Sequence, residues 1–114
     1  MKVINMSKNA LLADEALLAS TTLRRMVGLL GRKSLREGEG LIIRPCNSIH
    51  TWFMRFPIDV IFLDKRGRVI KLLPEVPAFR FSPLVWKSKM VVELPAGTIN
   101  RSGTEVEDHV AFGS

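Results

Sequence analysis

The sequence predicts a mainly β protein, a β-sandwich or barrel-like, mostly antiparallel arrangement with one short amphipathic α-helix near residues 21–30. Three observations point there. Short apolar runs recur between Pro and Gly turns, at 41–43, 58–63, 69–73 and 89–94. One of them, Ile58-Asp59-Val60-Ile61-Phe62-Leu63, is apolar on both faces apart from its aspartate, the pattern of a central strand. A single stretch carries its apolar residues at helical spacing.

In chain order, Val3-Ile4-Asn5-Met6 reads as a strand and Ser7-Lys8-Asn9 as a turn. Ala10 to Ala19 is rich in Leu and Ala, which favours helix, yet its position after a turn favours a strand, and strand is the preferred reading. Ser20, Thr21 and Thr22 then offer hydroxyls that accept from unpaired N–H groups at a helix start. Leu23, Met26, Val27 and Leu30 follow as one apolar stripe, and Gly31, Arg32 and Lys33 suit the helix end. Glu37 to Gly40 is a turn, Leu41 to Ile43 a buried strand, and Ile49 to Phe56 alternates as a strand does. Asp64-Lys65-Arg66-Gly67 is a hairpin turn returning into Val69 to Leu73. Pro74, Pro77 and Pro83 mark an irregular segment from Glu75 to Ser88, before strands at Lys89 to Leu94 and Asp108 to Phe112.

The chain of 114 residues suits a single domain over 1–114, with 46% hydrophobic and 25% charged residues. No apolar run approaches the ~20 residues of a membrane helix, and Met1 to Asn5 does not open a signal peptide. One cysteine excludes an internal disulfide and a multi-thiolate zinc site, and fits a reducing, cytoplasmic setting. The net charge of +6 is spread over two clusters, Arg24, Arg25, Arg32, Lys33 and Arg36, then Lys65, Arg66, Arg68 and Lys71. There is no tyrosine and no evident platform of exposed aromatics, so nucleic acid is not the expected partner.

Candidate chemistry is sparse. Cys46 and His50 form C-x3-H, the minimum for an activated nucleophile, although a free cysteine is commonly buried and a lone histidine commonly structural. No second Cys or His supports a metal site there, and glycine-rich phosphate loops, zinc-protease helices and G-x-S-x-G elbows are absent from the sequence, so no cofactor is implied. Asp59, in an otherwise apolar strand, needs donors. It either ties the Arg55-Phe56-Pro57 corner together or anchors a ligand. Trp52, Met54 and Phe56 form a stripe that is either core or one wall of an aromatic pocket closed by Phe79, Phe81 and Trp86. Glu93 precedes a tight turn and pairs with a cation in its structural reading.

Several stretches, taken in order, resemble a known prokaryotic family. They are Thr22 to Leu30, Gly40-Leu41, His50-Thr51-Trp52-Phe53-Met54, Pro57 to Asp64, Gly67-Arg68-Val69 and Val92-Glu93-Leu94-Pro95-Ala96-Gly97. The family is domain of unknown function 192, and the resemblance covers nearly the whole chain. It implies a β-rich sandwich or barrel with a short helix and assigns no activity. The family's aromatic-Met segment corresponds to Trp52-Phe53-Met54, its acidic strand residue to Asp59 and its final turn to Glu93 to Gly97.

The expected function is therefore a non-catalytic module binding a small ligand, peptide or carbohydrate near Trp52, Met54, Asp59, Phe81 and Glu93, monomeric, with an unidentified ligand or protein partner. The alternatives are a Cys46/His50 hydrolase or transferase, and nucleic-acid binding by the basic surface.

Overall fold

The computed structural model describes residues 1–19, 35–49, 56–78 and 80–113. The expected helix near 21–30 and the candidates His50, Trp52 and Met54 lie outside them. The described residues form β1 (Lys2–Asn5), β2 (Ala10–Ala13), β3 (Glu15–Ala19), β4 (Glu39–Ile43), β5 (Ile58–Leu63), β6 (Val69–Val76), β7 (Met90–Pro95), α1 (Thr98–Ser102) and β8 (Val110–Gly113). The fold is mainly β, in two sheets that do not close into a barrel. A three-stranded sheet runs β2-β1-β8 and a five-stranded sheet β3-β4-β7-β5-β6. Every pairing is antiparallel except that of β3 with β4.

The ambiguous 10–19 segment is strand, but in two pieces. The chain breaks at Asp14, where the N–H groups of Asp14 and Glu15 both donate to the Gly38 carbonyl at 3.0 and 2.9 Å. That switch hands the chain from the small sheet to the edge of the large one.

Side-chain alternation sorts the large sheet into two apolar layers. Ile42, Ile61, Leu63, Val92 and Leu94 face the small sheet and pack with Val3, Leu12, Ile99 and Val110. Leu41, Ile43, Ile58, Val60, Phe62 and Val91 face the other way and pack with Leu35, Ile49 and Phe56. β5 is buried along its whole length because β7 and β6 flank it and both its faces are covered, as its two-sided apolar pattern predicts.

One expectation needs correction. β6 does not stop at Leu73 but continues through Pro74 to Val76. β6 is an edge strand, and the register with β5 slips between Ile58↔Val76 and Val60↔Leu73, so the proline falls in a bulge of an edge strand, where a residue without an N–H is tolerated. The segment after Gly97, unassigned in the sequence reading, is a short helix. Gly97 at φ 97° swings the chain round, and the Thr98 hydroxyl donates to the Pro95 carbonyl at 2.7 Å. A five-residue helix is too short to hold itself, and its anchor comes from β5, as described below.

The ends of the chain are joined by a polar network that is buried at Asn5, Thr104 and Asp108. The Asn5 amide donates to Thr104 Oγ1 at 3.0 Å and Asp108 Oδ2 at 2.9 Å, while Lys8 reaches Asp108 at 3.1 Å and Glu105 at 2.8 Å. Burial raises the Asp108 pKa, but bonds from Asn5, the Glu105 N–H and Lys8 outweigh it and hold the carboxyl below its usual range.

Candidate functional site

Asp59 is wholly buried and both of its carboxylate oxygens are engaged by backbone. Oδ1 accepts from the Glu75 N–H at 2.8 Å, and Oδ2 accepts from the Ile99 N–H at 2.7 Å. The first bond secures the β6 bulge, where Glu75 takes φ 51°. The second satisfies an N–H in the first turn of α1, the task of a helix cap, supplied here from another strand because Gly97 has no side chain to do it. Asp59 therefore joins β5, β6 and α1, while Arg55 of the corner it was expected to tie lies outside the described residues.

Glu93 is also completely buried, but it does not meet Asp59. Asp59 pairs across the sheet with Leu94, and Glu93 pairs with Val60 and Leu41. Cross-strand partners share a face, so Asp59 points toward the small sheet and Glu93 into the opposite apolar layer. The two carboxylates stand back to back. Cys46 is half-buried beside the Glu93 layer, with its thiol 3.0 Å from the Ser48 carbonyl. Phe81 is 69% exposed. Asp59 and Glu93 therefore do not share a face of the sheet, and Trp52 and Met54, the other members of the expected site, lie outside the described residues.

A different concave surface forms at one end of the large sheet, where β5 finishes and β7 begins. Two turns build it. In the first, Asp64 Oδ1 accepts the N–H groups of Arg66 and Arg68 at 2.8 and 3.0 Å, and Gly67 N–H donates to the Asp64 carbonyl at 3.0 Å. Burial raises the Asp64 pKa, but these N–H bonds and the two arginine charges bring it below the ordinary value. Gly67 takes φ 82°, and a Cβ there would lie 2.5 Å from the Val110 carbonyl oxygen. Only glycine serves both the turn and the close approach to β8.

The second turn is Val85-Trp86-Lys87-Ser88, closed by Ser88 N–H to the Val85 carbonyl at 2.8 Å. It is fastened on both sides. Val85 N–H donates to the Asn47 carbonyl at 2.8 Å, Ser88 Oγ to the Cys46 carbonyl at 2.8 Å, and Lys89 N–H to the Leu63 carbonyl at 2.9 Å. Trp86 and Lys87 occupy the two central positions, so their side chains project from a backbone that is held in place.

Between the turns lies a groove of about 390 Å³, lined by Asp64, Lys65, Arg66 and Arg68 on one side and Trp86, Lys87 and Lys89 on the other. Trp86 is 75% exposed, and the Lys87 ammonium sits 5.2 Å from its ring centre. Arg68 is paired with Glu107 at 3.4 Å. Lys65, Arg66, Lys87 and Lys89 have no ion-pair partner among the described residues. No group of three or more metal-ligating side chains occurs among the described residues.

The comparisons with known proteins fit the fold. Residues 3–112 match the family described as "Uncharacterized ACR", DUF192. The chain belongs to the DUF192 family. It is 33% identical to a UPF0127 protein of Pyrococcus furiosus over 113 residues, covering 96% of this chain and 97% of that protein. A UPF0127 protein of Thermococcus sibiricus is 30% identical over 112 residues, 95% of this chain and 72% of that protein. Among solved structures, a protein of unknown function from Novosphingobium aromaticivorans superposes with a TM-score of 0.81 at 23% identity, covering 97% of this chain and 82% of that one. A protein of Sinorhizobium meliloti, described as a candidate transcription regulator, gives a TM-score of 0.77 at 20% identity, over 96% of this chain and 89% of that one. At these identities the two structures show the fold alone.

Half of the groove was visible in the sequence. The sequence places the Lys65, Arg66 and Arg68 cluster at a hairpin turn and Trp86 among the aromatics of a pocket. What the sequence did not show is that Trp86 faces solvent beside that cluster. A Trp-Lys-Ser-Lys run entering a strand is the available signal, with two lysines following an aromatic that lies before the strand's alternation begins.

Proposed function

We propose that this protein is a non-catalytic binding module whose ligand is an anion carrying a flat ring, held in the groove between the 64–68 and 85–88 turns. The observation that carries the reading is Trp86, 75% exposed on a fastened turn, within a groove lined by five basic residues. A tryptophan left in water forfeits the burial of a large apolar surface, and a flat partner would recover it. Cations gathered in one concavity repel each other, and an anionic ligand relieves that repulsion while being steered toward it. The volume is in the range of small-ligand sites. Asp59 and Glu93, buried on opposite faces of the sheet, do not line this groove.

The test is an amide NMR titration of the full chain with ADP, pyrophosphate and adenosine in parallel. ADP is expected to shift the amides of residues 64–68 and 85–89 together and saturably, with adenosine and pyrophosphate each weaker. If ADP and pyrophosphate leave those amides in place, or shift basic residues elsewhere, such as Arg36 and Arg101, to the same degree, the reading is wrong.

A further inference from the structure

We infer that the ligand of this groove is a single-stranded nucleic acid, an assignment that rests on the anion-binding reading above and names its substrate class. The added observation is a second groove, of about 300 Å³, on the other side of the Trp86-Lys87 turn. It is lined by Ile70, Lys71, Pro83, Leu84 and Val85 together with Trp86 and Lys87 themselves. The turn is thus a ridge between two concavities, one rich in cations and one mostly apolar with a single added lysine. Leu84 is 69% exposed, so the apolar side, like Trp86, presents surface that no described residue covers.

This arrangement repeats the chemistry of a single strand, in which flat bases and charged phosphates alternate along a flexible backbone. Bases pack on the Trp86 ring and on Leu84 and Pro83, while phosphates follow Lys65, Arg66 and Lys89 on one side of the ridge and Lys71 on the other. Lys87, beside the indole, is placed for the phosphate next to the stacked base. Stacking on an aromatic needs a base face that a duplex hides within its own stack, so the exposed indole favours single strands over double. A free mononucleotide would fill one concavity only. An anionic bilayer would meet the lysines, but a ridge between two hollows offers it no flat apolar contact. The +6 net charge supplies the long-range attraction such binding uses.

The experiment is fluorescence anisotropy with the full chain, using a fluorescein-labelled 12-residue oligothymidylate. The same strand in a duplex, inorganic polyphosphate, ADP and phosphatidylglycerol vesicles serve as competitors. The single strand is expected to bind at least about tenfold more tightly than the duplex or ADP, consistent with stacking that only exposed bases provide. Trp86→Ala should weaken single-strand binding about ten- to a hundredfold, and Trp86→Phe should restore most of it. The double variant Lys65→Ala with Arg66→Ala should flatten the slope of log affinity against log salt by about 1.4, two phosphate contacts at about 0.7 each. Unchanged urea midpoints for these exposed positions establish that the variants are folded. If polyphosphate or vesicles compete as well as the single strand and Trp86→Ala binds normally, the groove takes anions without reading bases. The inference then fails while the anion-binding reading stands. If the 12-mer binds no tighter than ADP, the site is mononucleotide-sized and the inference fails again. If neither ADP nor the 12-mer binds, both readings fall.

Discussion

The centre of the large sheet and its Trp86 end treat polar chemistry in opposite ways. At the centre, Asp59 is wholly buried and both of its oxygens are spent on backbone N–H groups, at 2.8 and 2.7 Å. At the end, five basic residues and an indole line a groove, and four of those cations lack an ion-pair partner among the described residues. A buried acid in an apolar strand attracts attention because its burial is costly, but here the cost is offset inside the fold. Side chains that the fold leaves uncommitted, although a held backbone presents them, are the better sign of a ligand. The difference is testable, because variants at the centre should act on stability and variants at the end on binding.

The largest effect is expected at Asp59. Asp59→Ala strands the Glu75 and Ile99 N–H groups at once, and since only the Ile99 donor is buried while water can reach exposed Glu75, a loss of about 1–3 kcal/mol is expected from urea unfolding. Asp59→Asn keeps one acceptor oxygen and should lose roughly half as much. Ligand affinity, measured on whatever fraction remains folded, should be unaltered. An Asp59→Ala protein of wild-type stability that had lost ligand binding would reverse the assignment of the two regions.

Gly67→Ala comes next, and it touches both regions. A side chain at φ 82° is strained, and its Cβ would press the Val110 carbonyl oxygen, so about 1–3 kcal/mol of destabilisation is expected. Because Gly67 belongs to the turn that carries Lys65 and Arg66, the same variant should also weaken ligand binding. A destabilised variant with full affinity would mean that the 64–68 turn does not shape the site.

These two residues show what could be read in the sequence. The strand Ile58 to Leu63, the hairpin at Asp64 to Gly67 and the β-rich class follow from local alternation and turn chemistry, which depend on neighbours along the chain. Asp59's partners do not. Glu75 lies 16 residues away and Ile99 lies 40, and the bulge at Pro74 exists only once β6 is an edge strand paired with β5. Alternation also predicts that Asp59 and Glu93 lie on faces of their own strands, but not which faces. That depends on the β5–β7 register, which sets Asp59 opposite Leu94 and Glu93 opposite Val60. The groove was hidden for the same reason. Lys65 and Trp86 are 21 residues apart in sequence, and their turns meet through the pairing of β5 with β7 and the Lys89 N–H to Leu63 carbonyl bond.

A smaller effect is expected from acid. Asp64 and Asp108 both have carboxyl groups held below the usual range in the folded protein. Their contribution is fully present above the unfolded value near 3.9 and is lost as pH falls through the lower folded values. Asp108→Asn and Asp64→Asn should therefore each flatten the loss of stability below pH about 4, seen as a shallower fall in melting temperature. The two differ in a second readout. Protonating or replacing Asp64 loosens the turn beneath Lys65 and Arg66 and should alter groove binding. Asp108 ties Asn5 to the 104–108 segment and should leave binding unaltered.

The smallest effect on stability is expected at the residue with the largest effect on binding. Trp86 is 75% exposed, its turn is closed by the Ser88 to Val85 backbone bond, and that turn is fastened through Val85, Ser88 and Lys89, none of which uses the indole. Trp86→Ala removes the contact with the Lys87 ammonium, worth about 0.5–1 kcal/mol at an exposed position, and also relieves the exposure of a large apolar ring. The urea midpoint should therefore correspond to a change within about 0.5 kcal/mol of wild type. A loss of several kcal/mol would mean that the indole packs against the protein in solution, filling the groove itself. The exposed platform on which the binding reading depends would then not exist.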